Sequence, residues 1–303
     1  MNNKEQGKIL VTGATGTVGS EVVKQLVSRS TENSIRAAVH SKNKADKIRH
    51  SISKGVEVVD LDYMMPETIT NALSDVDKLF LQTLPVPDAI DICSNIVKEA
   101  KKNDVNHIVK LSAMGADSQS GVTILRLHGE EENIIKDSGI SYTFLRPPAF
   151  MQNFITQFGQ TIKTQNAFYV PVGDAKMSFV DVRDIATIAT SILLNCNGGK
   201  NKQNMNKAFD ITGPEALTYS QVANIISDKV GRKITYIDIT EDIAKKGLKQ
   251  IGMDDWFINI MIELFRTIRA GYGSETTGAV ERITGRKPIA FAQYVKDYAE
   301  VFR

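Results

Sequence analysis

Cysteine is close to absent. The 303-residue chain has two, Cys93 and Cys196, far apart in segments patterned as apolar helices. That excludes a disulfide-stapled scaffold or a cysteine-based metal centre, and reads as two buried thiols in a reducing compartment. No apolar run approaches the roughly 18 residues that cross a bilayer. The first seven residues are polar and carry no signal core, so the expectation is a cytoplasmic protein without membrane contact. An excess of one charge is missing too, with 37 Lys and Arg against 35 Asp and Glu and a net charge of +2. Because the basic residues are scattered among acids, nucleic acid is not the expected partner. No internal repeat and no metal-ligand spacing occurs. Length and an apolar content of 42% leave an ordinary globular chain of one large or two modest domains, as a monomer or homodimer.

What is present begins with Lys8-Ile9-Leu10-Val11, an apolar run that breaks into Thr12-Gly13-Ala14-Thr15-Gly16-Thr17-Val18-Gly19 and then into Val22, Val23 and Leu26 at helical spacing. It reads as strand, tight turn, helix. Gly13 permits the sharp exit from the strand, Gly16 lets backbone approach a pyrophosphate, and Gly19 lets the helix pack closely on the sheet. With Thr15, Thr17 and Val18 these glycines form the expected phosphate-binding set, facing the free N–H groups of the helix N-terminus. The spacing Gly-x-x-Gly-x-x-Gly matches the general dinucleotide fingerprint only in part.

Strand patterns at 35–39, 56–60, 78–82, 107–112 and 140–145 alternate with helical ones at 66–73, 89–102 and 122–138. That alternation predicts right-handed parallel crossovers and a doubly wound α/β sheet of the Rossmann type. Ligands of such sheets lie at the carboxyl ends of the strands. After the second strand an acid would accept from a free ribose 2′-hydroxyl; instead the chain gives His40-Ser41-Lys42-Asn43-Lys44, whose donors and charge suit a 2′-phosphate. NADPH is therefore expected over NADH, and a solvated basic loop is the alternative. Asp60 ends the third strand, where it can reach an adenine amino group or cap a turn. Thr83 and Ser112 end the next two and are expected near the nicotinamide. Lys110, on the fifth strand, either faces a ligand or snorkels to solvent.

Pro147 and Pro148 stop the sixth strand, placing a domain boundary between a Rossmann domain, 1–150, and a smaller C-terminal α+β lobe for the substrate, 151–303, from which a segment near 207–213 returns to the main sheet. Phe150, Asn153 and Phe154 follow directly and are the expected substrate contacts, with packing the alternative for the aromatics. Trp256, Phe257, Ile260, Met261 and Leu264 read as the core stripe of a helix.

The chain resembles the NmrA-like branch of the atypical short-chain dehydrogenase/reductase family. The resemblance rests on Gly13 to Gly19, on Ser112-Ala113, on Asp137-Ser138-Gly139-Ile140 leading to Leu145-Arg146-Pro147, on Phe150-Met151-Gln152-Asn153-Phe154, on Phe179-Val180-Asp181-Val182-Arg183-Asp184-Ile185-Ala186 and on Glu281-Arg282-Ile283-Thr284-Gly285-Arg286-Lys287-Pro288. It implies an NAD(P)H-dependent reductase similar to quinone, isoflavone and ergot alkaloid reductases, or else a redox-sensing regulator that binds the nucleotide without turnover. The wider family's Tyr-x-x-x-Lys pair is missing; His128 and Glu132 stand near those positions, four apart on one helical face. The expectation is hydride transfer to a small acceptor that needs little acid help: a quinone, an activated alkene or an iminium. His128 is the candidate proton donor, against the reading of Glu130-Glu131-Glu132 as a solvated helix face.

Overall fold

The computed structural model describes residues 7–30, 34–40, 55–195 and 204–303. They fall into two compact units, one drawn from Met1–Gln119, Leu127–Arg146 and Ile185–Phe209, the other from Ser120–Arg126, Pro147–Asp184 and Asp210–Arg303. This differs from a single cut at 150 chiefly by returning Ile185–Phe209 to the first unit. The returning helix buries Ile185, Ile188, Ala189, Ile192 and Leu193, and its Thr187 hydroxyl donates to Gln25 at 2.9 Å.

The first unit is built on a seven-stranded sheet of β1 (Lys8–Val11), β2 (Ile35–Val39), β3 (Val56–Asp60), β4 (Val76–Leu81), β5 (His107–Leu111), β6 (Ser141–Arg146) and β9 (Lys207–Asp210), in the order β3-β2-β1-β4-β5-β6-β9. The pairings from β3 through β6 are parallel. Both β2 and β5 are buried at every residue, as strands of a parallel sheet covered on both faces must be. The helices are α1 (Thr17–Arg29), α2 (Pro66–Leu73), α3 (Ala89–Lys102), α4 (Thr123–Ser138) and α7 (Val182–Asn195). α3 buries Ile92, Cys93, Ile96, Val97 and Ala100 on one face, and burial pushes the free Cys93 thiol up to about 12. Cys196 lies outside the described residues.

Many of the polar groups buried inside this unit are paired, as burial favours. Arg36 of β2 donates to the carbonyls of Ala72 and Ser74 at 2.8 and 2.7 Å and to Glu57 at 2.9 Å. His107 lies between Ser141 and Thr143, each 3.1 Å away; desolvation, then the charge of Lys78, push it down to about 4. The strand order reverses between β1 and β4, the topology at which such sheets hold ligands. Thr12 ties the two strands together there, its hydroxyl accepting from Gln82 N at 2.8 Å and its amide donating to Phe80 O at 3.0 Å.

The second unit contains α5 (Asn153–Thr156), α6 (Gly159–Gln165), β7 (Ala167–Tyr169), β8 (Lys176–Met177), β10 (Leu217–Thr218), α8 (Tyr219–Val230), β11 (Thr235–Ile237), α9 (Glu241–Gln250), α10 (Asp255–Arg269), α11 (Ala279–Thr284), α12 (Phe291–Asp297) and α13 (Ala299–Phe302). β7 pairs with β11 in parallel and β8 with β10 antiparallel. Its core is aromatic: around Phe154 stand Phe158, Phe168, Phe179, Tyr219 and Phe291, at centroid distances of 5.2–6.2 Å. Below it Asp184 accepts from Ile289 N at 2.7 Å and Arg286 at 3.2 Å, and desolvation raises its carboxyl to about 6. On α10 the buried residues are Ile258, Ile260, Ile262 and Ile268; of the expected stripe only Ile260 is among them, because α9 draws Ile258 and Ile262 inward through Ala244. Among the described residues no helix is long and apolar enough to cross a membrane.

Candidate active site

The glycine turn leaves β1 with Gly13 at φ +61°, a left-handed conformation suited to glycine. Gly16 N donates to Gly13 O at 2.8 Å, closing the turn. A Cβ on Gly19 would stand 2.2 Å from Gly13 O, so the first turn of α1 lies against the loop in a way no side chain permits. Gly16 is the N-cap and offers no side chain to the first amides of α1, which suits them to an anion. Beside this cradle the buried Gln82 Oε1 has no hydrogen-bond partner among the described residues, and its amide group lies 3.2 Å from where a Cβ on Gly13 would be. An unpaired buried carbonyl at a glycine cradle fits a donor arriving with a ligand.

The other expected cofactor residues fall into three groups. Thr15 and Thr17 are exposed at the turn, whereas the Val18 side chain is buried in the core and has only its backbone to offer. His40 and Asp60 are exposed at the carboxyl ends of β2 and β3, adjacent by the Val39–Asp60 register; Lys42 lies outside the described residues. Thr83 and Ser112 are buried after β4 and β5.

Behind Thr83 and Ser112 the structure brings together groups that the sequence kept apart. Lys110 is wholly buried, so it neither faces a ligand nor reaches solvent. Its ammonium donates to Leu111 O at 2.6 Å and Thr83 Oγ1 at 3.2 Å and pairs with Glu131 Oε2 at 2.9 Å. A group at 0% exposure cannot touch a substrate, and Lys110 is removed from the catalytic set. His128 Nδ1 lies 3.2 Å from the same Glu131 oxygen, with 18% of its side chain exposed. Burial alone would raise the Glu131 carboxyl, but Lys110 and the His128 bond hold it at about 2. Burial and Lys110 lower His128 against the opposing pull of Glu131 and Glu132.

Glu132 is buried as well, accepting from Ser112 Oγ at 2.7 Å and Arg146 Nε at 2.8 Å. Two of the three consecutive acids therefore form the inner face of α4, not a solvated one. Beside His128 sits Gly129, where a Cβ would meet Asp117 C and Ser118 N at 2.2 Å; a glycine inside a helix was the signal for this close passage. In the second unit Phe150 is half-buried and bridged to Val180, and Asn153 opens α5. Phe154 is fully buried among five rings and belongs to the core, because its ring has no face left for a substrate.

The model of the NmrA-like family matches residues 5–295. The chain belongs to the NmrA-like family. Across this family it is 35% identical over 294 residues to the NAD(P)H azoreductase of Xenophilus azovorans, covering 97% of this chain and 99% of that one. Among solved NmrA-like structures it is similar to the triphenylmethane reductase of Citrobacter sp. complexed with NADP(H), with 26% identity, a TM-score of 0.81 and 95% and 99% of the two chains covered. The NADPH-dependent quinone oxidoreductase of Escherichia coli complexed with NADPH gives 25% identity, a TM-score of 0.82 and coverage of 96% and 99%.

Proposed function

We propose that this protein is a reductase that binds NADPH in preference to NADH and reduces a small, flat, electron-poor organic acceptor. The observation that carries the reading is the cradle at the β1–β4 switch point, where Gly19 admits no Cβ, α1 starts without a side-chain cap and Gln82 keeps an unpaired carbonyl. It supports a pyrophosphate on the amides of residues 13–19, with Thr15 and Thr17 beside it. His40 and Lys42 hold the 2′-phosphate, Asp60 the adenine amino group, and Thr83 and Ser112 flank the nicotinamide. NADPH, when bound, supplies the hydride; the chain supplies orientation, exclusion of water and a proton. His128 is the proton carrier of the first unit, and Phe150 and Asn153 are the candidate acceptor contacts of the second. The relatives' names, an azoreductase, a triphenylmethane reductase and a quinone oxidoreductase, favour conjugated acceptors. The buried, unpaired Cys93 thiol is in keeping with a cytoplasmic setting.

The assignment of the 2′-phosphate is tested by Lys42→Ala. A lost charge-assisted contact of about 1.5–3 kcal/mol raises the Kd for NADPH by roughly tenfold or more, with NADH much less affected. An equal loss for both nucleotides would remove that assignment.

A further inference from the structure

We propose that the buried Lys110–Glu131 pair is a positioning device that fixes the proton of neutral His128 on Nδ1 and leaves Nε2 to exchange a proton with the reduced acceptor. The inference rests on the reductase reading for its substrate and on geometry for its mechanism. Glu131 Oε2 receives Lys110 Nζ at 2.9 Å and lies 3.2 Å from His128 Nδ1. An ionised carboxylate only accepts, so the proton of the second bond sits on the imidazole Nδ1. The lysine is itself locked by Leu111 O and Thr83 Oγ1, and the pair cannot turn away. The charged groups facing His128 are Glu131 and Glu132 on its own helix and Lys110 on β5. Tyr63 and Cys93 feel the charge of Glu131, while Arg146 on β6 occupies Glu132. Lys110 opposes a second positive charge and Glu131 tolerates one; the imidazole thus rests neutral and is charged only in passing.

The consequence is a division among acceptors. A quinone or an azo group that takes up a hydride becomes an anion and needs one proton: Nε2 of His128 first takes a proton from solvent, the Nε2–H bond of this imidazolium breaks as the new O–H or N–H bond forms, and the ring returns to its neutral Nδ1–H form. A triarylmethyl cation takes up a hydride to become neutral and needs none. The proton-carrying form is the protonated imidazole, so turnover of the first class declines as pH rises above the His128 pKa, whereas the second class lacks this limb.

The first test needs no variant. Long-range proton–nitrogen correlation of the 15N-labelled full chain at pH 7.5 reads the tautomer of each of its four histidines, with His128→Gln identifying the signal. The proposal predicts the Nδ1–H form, moving toward Nε2–H in Glu131→Gln; a dominant Nε2–H form in the unaltered protein overturns it. Kinetics give the second test. In His128→Gln the ratio of kcat for a quinone to kcat for a cationic triarylmethane dye falls at least tenfold, within the range of general acid catalysis, and an unchanged ratio overturns the proton role. If the unaltered protein reduces neither acceptor, the reductase reading fails, while the tautomer still decides the positioning.

Discussion

Lys110 and Glu131 show what a residue's neighbours in sequence conceal. Alternation along a strand allowed Lys110 to face a ligand or solvent, and three acids in a row looked like a wet helix face. Each is explained only by the other, across the sheet-to-helix contact, and no local period encodes that. The glycine turn was legible for the opposite reason: the requirements for φ at Gly13 and for space at Gly19 are met within a few residues of chain. Phe154 followed the prolines as a substrate contact would, but its surroundings come from segments distant in sequence. Because removing one partner strands the other as an uncompensated buried charge, Lys110→Met should lower stability by about 3–5 kcal/mol. Adding Glu131→Leu should recover much of that loss. Urea midpoints measure both, and a single variant as stable as the parent would contradict the buried pair.

Among elements, the long periodic ones were readable and the short ones were not. α3 spans Ala89–Lys102 as its apolar spacing predicts, and α8 starts after Thr218, whose hydroxyl and Gln221 form a capping box. β7, β8 and β10 have two or three residues each, too few for a period, and they exist through pairings with partners far along the chain. α4 carries a test of which local rule wins. Helix propensity favours Gly129→Ala by up to about 1 kcal/mol. The added Cβ, 2.2 Å from the backbone at residues 117 and 118, forces a shift that costs about 1–3 kcal/mol. The expected outcome is net destabilisation in denaturant unfolding; a gain in stability would mean that the loop is not held against the helix.

At the scale of the whole molecule two buried groups pull stability in opposite directions with pH. His107, pushed down to about 4, stays neutral when folded while the unfolded chain takes up a proton below its ordinary value near 6.5. Stability from it is present above that value and is lost as pH falls toward 4, about 3 kcal/mol in all. Asp184, raised to about 6, keeps its proton when folded, so its contribution is present at low pH and is lost as pH rises through 6, by a similar amount. The two nearly offset between pH 4 and 6. Relative to the parent, His107→Gln should therefore lose stability with rising pH and Asp184→Asn gain it, read by urea unfolding at pH 4, 5 and 6; equal slopes in both would contradict these titrations. The most direct test of the account as a whole is a paired titration with NADPH and NADH, followed by stopped-flow observation of reduced-nicotinamide absorbance against quinone, azo and triarylmethane acceptors. The expected result is tighter binding of NADPH and saturable oxidation by at least one acceptor class. Tight binding without loss of that absorbance to any of them would contradict it and identify a protein that senses the nucleotide without using it.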